Sequence, residues 1–138
     1  MGFNRTDVSP NGKLRQPLRA GDGFVANVSP VNFNAEADAT LTVSQISGGS
    51  INQGLTLTSD VTYTLPTAAL IVAEWPEMDV GDAFSFGVTN AQADSFDVII
   101  AVGVGITAVG TNNALTTAPQ STRFYTLVKT AAATYDLY

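Results

Sequence analysis

From Ala37 onward apolar and polar residues alternate one by one, and that period of two is the strongest constraint on what this chain can fold into. A strand turns successive side chains to opposite faces, so strict alternation marks strands buried on one side only. Thr40-Leu41-Thr42-Val43-Ser44 alternates, as do Leu55 to Thr58 and Val61 to Leu65. Phe84 to Val88, Phe96 to Ile100 and Val104 to Val109 continue the series, and Arg123 to Lys129 with Thr134 to Tyr138 close it. Threonine recurs on the polar phase, as suits a β-branched residue that fits the pleat and still binds water. Seven or eight short strands with turn signals between them predict an all-β domain over residues 36–138. The expected architecture is an antiparallel β-sandwich, jelly-roll-like, or a barrel. One stretch breaks the rhythm. Thr67 to Glu74 is rich in alanine and leucine at a 3.6-residue period, which predicts a single short helix ending before Pro76. Trp75 and Met78 are expected to close that helix against the sheets.

Residues 1–35 read differently. Pro10, Pro17 and Pro30 interrupt them and no hydrophobic period is sustained, so an extended N-terminal arm is expected. Its apolar residues stand singly, which suits a chain that lies along a neighbouring subunit. The first 19 residues hold Arg5, Lys13, Arg15 and Arg19 against Asp7 alone, a net +3. Residues 20–138 hold Arg123 and Lys129 against eleven carboxylates, a net −9. A body so acidic repels phosphates, so no nucleic-acid partner is expected. The partner-binding residues predicted in the arm are Arg5, Lys13, Leu14, Arg15, Leu18, Arg19 and Phe24. Neither a secretory leader nor a membrane span is expected: the start is polar, and the most apolar stretch, Val98 to Gly110, is too short to span a bilayer and contains three glycines.

The chain has no cysteine and no histidine. That removes the imidazole bases of nucleophilic catalysis, the usual zinc sites and disulfides. At 138 residues a domain buries roughly two-thirds of its unfolded surface, enough for a core without such staples. Glu74, Glu77, Asp79 and Asp82 form the densest carboxylate string. A linear string at a helix end rarely flanks a sugar cleft, and its register is wrong for a calcium loop. Gly103, Gly105 and Gly110 lack the lysine and the following helix of a phosphate loop, and are expected to serve turns and close backbone packing. No catalytic residue, metal or cofactor is expected, and the chain reads as a non-enzyme.

Three motifs carry a resemblance. Leu65-Pro66-Thr67-Ala68-Ala69 runs into the helical stretch, Val80-Gly81-Asp82-Ala83-Phe84-Ser85-Phe86 opens a strand, and Gly103-Val104-Gly105-Ile106-Thr107 leads to an aromatic-ended C-terminal pair. This order, over residues 40–138, resembles a β-rich module of tailed-bacteriophage virion proteins, especially small head decoration (cement) proteins. The resemblance implies a non-enzymatic structural protein, made in the host cytoplasm and placed on the capsid exterior. It implies a homotrimer whose partner is the major capsid protein lattice. The alternative expectation is a receptor- or glycan-binding module of a fibre or head exterior, with Tyr63, Trp75, Tyr125, Tyr135 or Tyr138 stacking on sugars.

Overall fold

The computed structural model describes residues 31–138 except 34, 94 and 111–114. The predicted arm contacts Arg5, Lys13, Leu14, Arg15, Leu18, Arg19 and Phe24 lie outside the described residues. Ten strands and two helices follow in order: β1 Val31–Asn32, β2 Ala39–Thr40, α1 Val43–Ser47, β3 Ser50–Gln53, β4 Val61–Thr64 and α2 Ala68–Glu74. Then come β5 Ala83–Asn90, β6 Val98–Ala101, β7 Ile106–Ala108, β8 Thr116–Thr117, β9 Ser121–Ala131 and β10 Thr134–Leu137. They form a six-stranded sheet, β1-β3-β5-β9-β10-β7, and a four-stranded sheet, β2-β4-β6-β8. Side chains from both sheets, among them Ile51, Phe86, Val88 and Tyr125 from the first and Val61, Tyr63 and Ile100 from the second, share one core.

The domain is mostly β, as the alternation predicts, but the sheets are mixed and neither closes into a barrel. Of eight strand pairings among the described residues five are parallel. The reason is the path of the chain. From β1 to β6 it steps from one sheet to the other at every strand, so each sheet receives its next strand running the same way. Only the β9–β10 pair joins consecutive strands as an antiparallel neighbour. Period two reports which side of a strand is buried and is silent on its direction.

The same path contains a structural repeat that was not expected. In one unit Asp38 precedes β2, buried Leu41 follows it, Thr42 caps α1, Ile46 is buried and Gly49 (φ 82°) turns the chain into β3. In the next, Asp60 precedes β4, buried Leu65 follows it, Thr67 caps α2, Ile71 is buried and Gly81 (φ 97°) leads towards β5. Each unit holds the one beside it through its backbone. Leu41 N–H donates to Thr64 O, and Leu65 N–H to Ala101 O, both at 2.8 Å. Asp38 and Asp60 accept N–H groups of the neighbouring strand segments, from Thr62 at 2.7 Å and Asp97 at 2.9 Å. The units end on buried amides in register, Gln53 opposite Asn90.

Two expected strands are replaced. Val43 and Ser44 belong to α1, which is held by a capping box: Thr42 Oγ1 accepts from Gln45 N–H, and Gln45 Oε1 from Thr42 N–H at 2.7 Å. There are therefore two short helices where one was expected. Leu55 to Thr58 is a loop, because Leu57 N–H donates to the side chain of Gln92 at 2.6 Å in place of a strand partner. The predicted helix is found, starting at its Thr67 cap and stopping at Trp75. Val31–Asn32 pairs with β3, and Phe33 stacks edge-on against Tyr63 at 4.9 Å, so the sheet begins on the arm side of residue 36.

Burial sets an alkaline limit on this fold. Desolvation pushes the phenols of Tyr63, Tyr125 and Tyr135 above the ordinary value of 10.0. The hydrogen bonds of Tyr63 with Gln53 and of Tyr125 with Thr117 oppose the shift without cancelling it. Unfolded phenols lose their protons first, so above about pH 10 the unfolded chain binds fewer protons and stability falls with pH. Below that window these groups leave stability unchanged. Denaturation midpoints are expected to drop as pH rises through this alkaline window, with tyrosinate absorbance rising as the protein unfolds. Three phenols ionising at their ordinary value in the folded protein would contradict this.

Candidate docking surface

The sequence candidates for chemistry come apart in three dimensions. Asp82 spends a carboxylate oxygen on the Asp79 N–H at 2.7 Å, a local turn bond, while Glu74 and Glu77 are exposed. The loop bearing them is clasped by Lys129, which donates its backbone N–H to Asp82 O and its ammonium to Met78 O at 2.6 Å, and accepts Gly81 N–H. No group of three acidic side chains among the described residues is placed to hold a metal ion. No helix among them is long and apolar enough to cross a membrane.

The aromatic residues expected to stack on sugars are mostly committed to packing. Tyr63, Tyr125 and Tyr135 are buried, and Trp75 lies edge-on against Phe84 at 4.6 Å. Only Tyr138 is exposed. A shallow cleft of about 270 Å³ lies among Thr89, Asn90, Ala91, Gln120, Ser121 and Thr122, lined by hydroxyls and amides with no ring.

The surface that stands out is the outer face of the six-stranded sheet. Pairing of β5 with β9 sets Ser85 opposite Thr126, Gly87 opposite Phe124 and Thr89 opposite Thr122. On β3, Ser50 lies beside Gly87 and Asn52 beside Thr89. On β10, Asp136 lies beside Val128, and Tyr138 exchanges backbone hydrogen bonds with Thr126. The hydroxyls pair laterally: Ser85 with Thr126 and Thr89 with Thr122 at 2.8 Å, Thr130 with Thr134 at 3.0 Å. Asp136 is the one charged residue at the outward positions of β3, β5, β9 and β10.

Phe124 stands on this face beside Gly87, with 75% of its surface in water. Gly87 makes room for it, since a Cβ there would meet the ring at 3.1 Å. Tyr138, 57% exposed, directly follows β10 and lies diagonally from Phe124, opposite Thr126. The alternation places Phe124 within a strand but hides its side. Phe124-Tyr125-Thr126-Leu127-Val128 is apolar on both phases, and only the glycine opposite marks the outward one.

What the arrangement can do is dock. It offers a broad, nearly uncharged sheet face with two exposed rings on an otherwise acidic body. No known protein family, no curated protein and no solved structure was found to match the chain.

Proposed function

We propose that this chain is a non-enzymatic virion structural protein, a decoration (cement) protein that binds the outer head lattice of a tailed bacteriophage and stabilises the shell. The observation that carries the reading is the neutral outer face with exposed Phe124 and Tyr138, a surface shaped for protein contact. The order of the Leu65–Ala69, Val80–Phe86 and Gly103–Thr107 motifs, which resembles such modules, supports it. The lattice of major capsid protein is the partner, the capsid exterior the location and a homotrimer the assembled form. Many weak contacts joined by symmetry then exceed what one contact could hold. The basic segment before residue 20 would reach the lattice, drawn by charge opposite to that of the body.

The test is binding to heads purified without the protein. Saturable binding at a fixed number of copies per lattice unit, seen as evenly spaced density, is expected. Removing residues 1–20 is expected to leave the melting transition unchanged and weaken head binding by about tenfold or more, the equivalent of about 1.4 kcal/mol. Full-strength binding by the shortened chain would remove the arm from the mechanism. No ordered density on heads would overturn the decoration reading itself.

A further inference from the structure

We propose that the free edge of β7 takes up residues 24–29 of a neighbouring copy as an added strand, and that this junction, repeated, builds the homotrimer. The inference deepens the decoration reading, and rests on it for the number of copies.

The edge is open in its backbone. β7 ends the six-stranded sheet on the side away from β1. Gly105 O accepts Tyr135 N–H at 3.0 Å and Val109 N–H donates to Leu137 O at 2.8 Å, so the odd-numbered residues here face β10. Successive residues of a strand direct their backbone groups to opposite sides. Ile106 O and both backbone groups of Ala108 therefore point away from the sheet. Edges are ordinarily blunted by charge, proline or a bulge. β2 has exposed Glu36 and Asp38 beside it, and β8 has Pro119 beside it and the Asn90 amide on Thr117 O at 3.3 Å. β7 has no such guard. No charged residue occurs from 98 to 122, and Val104 and Val109, 82% and 43% exposed, flank the strand.

Chain reach selects the occupant. Phe24-Val25-Ala26-Asn27-Val28-Ser29 precedes the described chain, carries no charge and sets Phe24, Ala26 and Val28 on one phase, the pattern of a strand. From β1 to β7 within one sheet is five strand spacings, about 24 Å. Only Pro30 lies between Ser29 and Val31, a span of about 7 Å at most. The segment's own β7 is out of reach. Its own β2 stands in the other sheet, about 10 Å away. Doubling back on β1 needs a tight turn through Ser29-Pro30, and the type I′ turn requires a positive φ that the proline ring forbids. The edge this segment meets belongs to another copy.

The junction suits three copies and leaves the outer face free. It joins two different surfaces, the segment ahead of β1 and the opposite edge of the same sheet, so it repeats head to tail as a ring requires. Joining edge to edge also sets the outer faces around Phe124 and Tyr138 side by side, where all of them meet the lattice at once.

The experiment is sedimentation of the full-length chain beside two full-length variants, Val28→Asp in the segment and Ala108→Pro on the edge. Ala108→Pro removes an N–H that points away from β10, where an edge strand tolerates proline. The parent is expected to sediment as a trimer and each variant as a monomer, association being weakened about tenfold or more, with melting transitions unchanged. Mixed together, the two monomers are expected to form a one-to-one pair, since one variant keeps the edge and the other keeps the segment. Val109→Asp replaces Ala108→Pro if that variant melts early, because it puts a charge on the same edge. A monomeric parent overturns the junction while leaving head binding to be judged on its own. Variants that stay trimeric overturn it, and so do monomers that fail to pair on mixing. A trimer that passes these tests but never decorates heads supports the junction and sinks the decoration reading.

Discussion

Gly103→Ala is expected to destabilise the protein by about 3 kcal/mol, among the larger effects a single methyl group can have. A Cβ at this position would lie 2.5 Å from the carbonyl oxygens of both Leu65 and Pro66, and 2.8 Å from the Pro66 carbonyl carbon. These are backbone atoms, and the backbone there is tied on both sides. Leu65 N–H donates to Ala101 O at 2.8 Å, and Ala68 N–H donates to Val104 O at 2.9 Å. The chain leaving β6 therefore passes in close contact with the chain leaving β4 for α2. Relief would require breaking one of those bonds or moving α2, whose Ile71 is fully buried. Gly81→Ala provides the contrast. Gly81 has φ 97° and open space around its would-be Cβ, so its cost is conformational alone, about 1–2 kcal/mol. Urea denaturation of the two variants separates crowding from backbone strain. If Gly103→Ala costs no more than Gly81→Ala, the close approach is looser than described.

That glycine illustrates how much of the fold the sequence carried. A glycine between apolar β-type residues signals close backbone packing, and Gly103 does pack closely, but nothing in Val102-Gly103-Val104 names Leu65 and Pro66 as its neighbours. The helix over Ala68–Glu74 was legible because Thr67, the alanines and Pro76 mark both of its ends. The five-residue α1 was not, since so short a helix cannot display a 3.6 period, and Leu41-Thr42-Val43 alternates like a strand. Its one signal was the Thr42…Gln45 capping pair. β3 was hidden for a chemical reason: its inward residue Gln53 is polar, which breaks the alternation. Strand direction was beyond reach throughout. The repeat of Asp, strand, leucine, threonine cap and helix escaped notice because the second unit carries a longer strand, Pro66 and a longer return loop. On the candidate docking face, Tyr138 was legible as an exposed aromatic and Phe124 was not, because exposure depends on which phase of β9 meets Gly87.

Replacing Gln53 by leucine is expected to cost about 3 kcal/mol, although leucine nearly preserves the volume, because the loss is in hydrogen bonds rather than packing. Gln53 is fully buried, and its side-chain amide is directed at Ala35, Tyr63 and Leu55. Its amide donates to Ala35 O at 2.7 Å and to Tyr63 Oη at 2.9 Å, and its carbonyl oxygen accepts Leu55 N–H at 2.8 Å. Leucine would leave the Leu55 N–H and part of the Ala35 carbonyl's capacity unmet, each a penalty of about 1 kcal/mol or more. Tyr63→Phe should cost less, about 1 kcal/mol, since it removes one hydroxyl that also reaches Ala35 O at 3.1 Å. The double variant is expected to lose less than the sum, by about 1 kcal/mol, because each single change already breaks their shared bond. Strict additivity would mean that the 2.9 Å bond contributes nothing. Amide exchange locates the damage. Phe33 N–H, which donates to Asn52 O at 3.0 Å, and Leu55 N–H should exchange faster in Gln53→Leu, while amides of β5 and β9 keep their protection relative to global unfolding. The amide of Gln53 thus ties Ala35, just after β1, to Tyr63 in the other sheet. It holds the edge strand β1 in place beside the docking face.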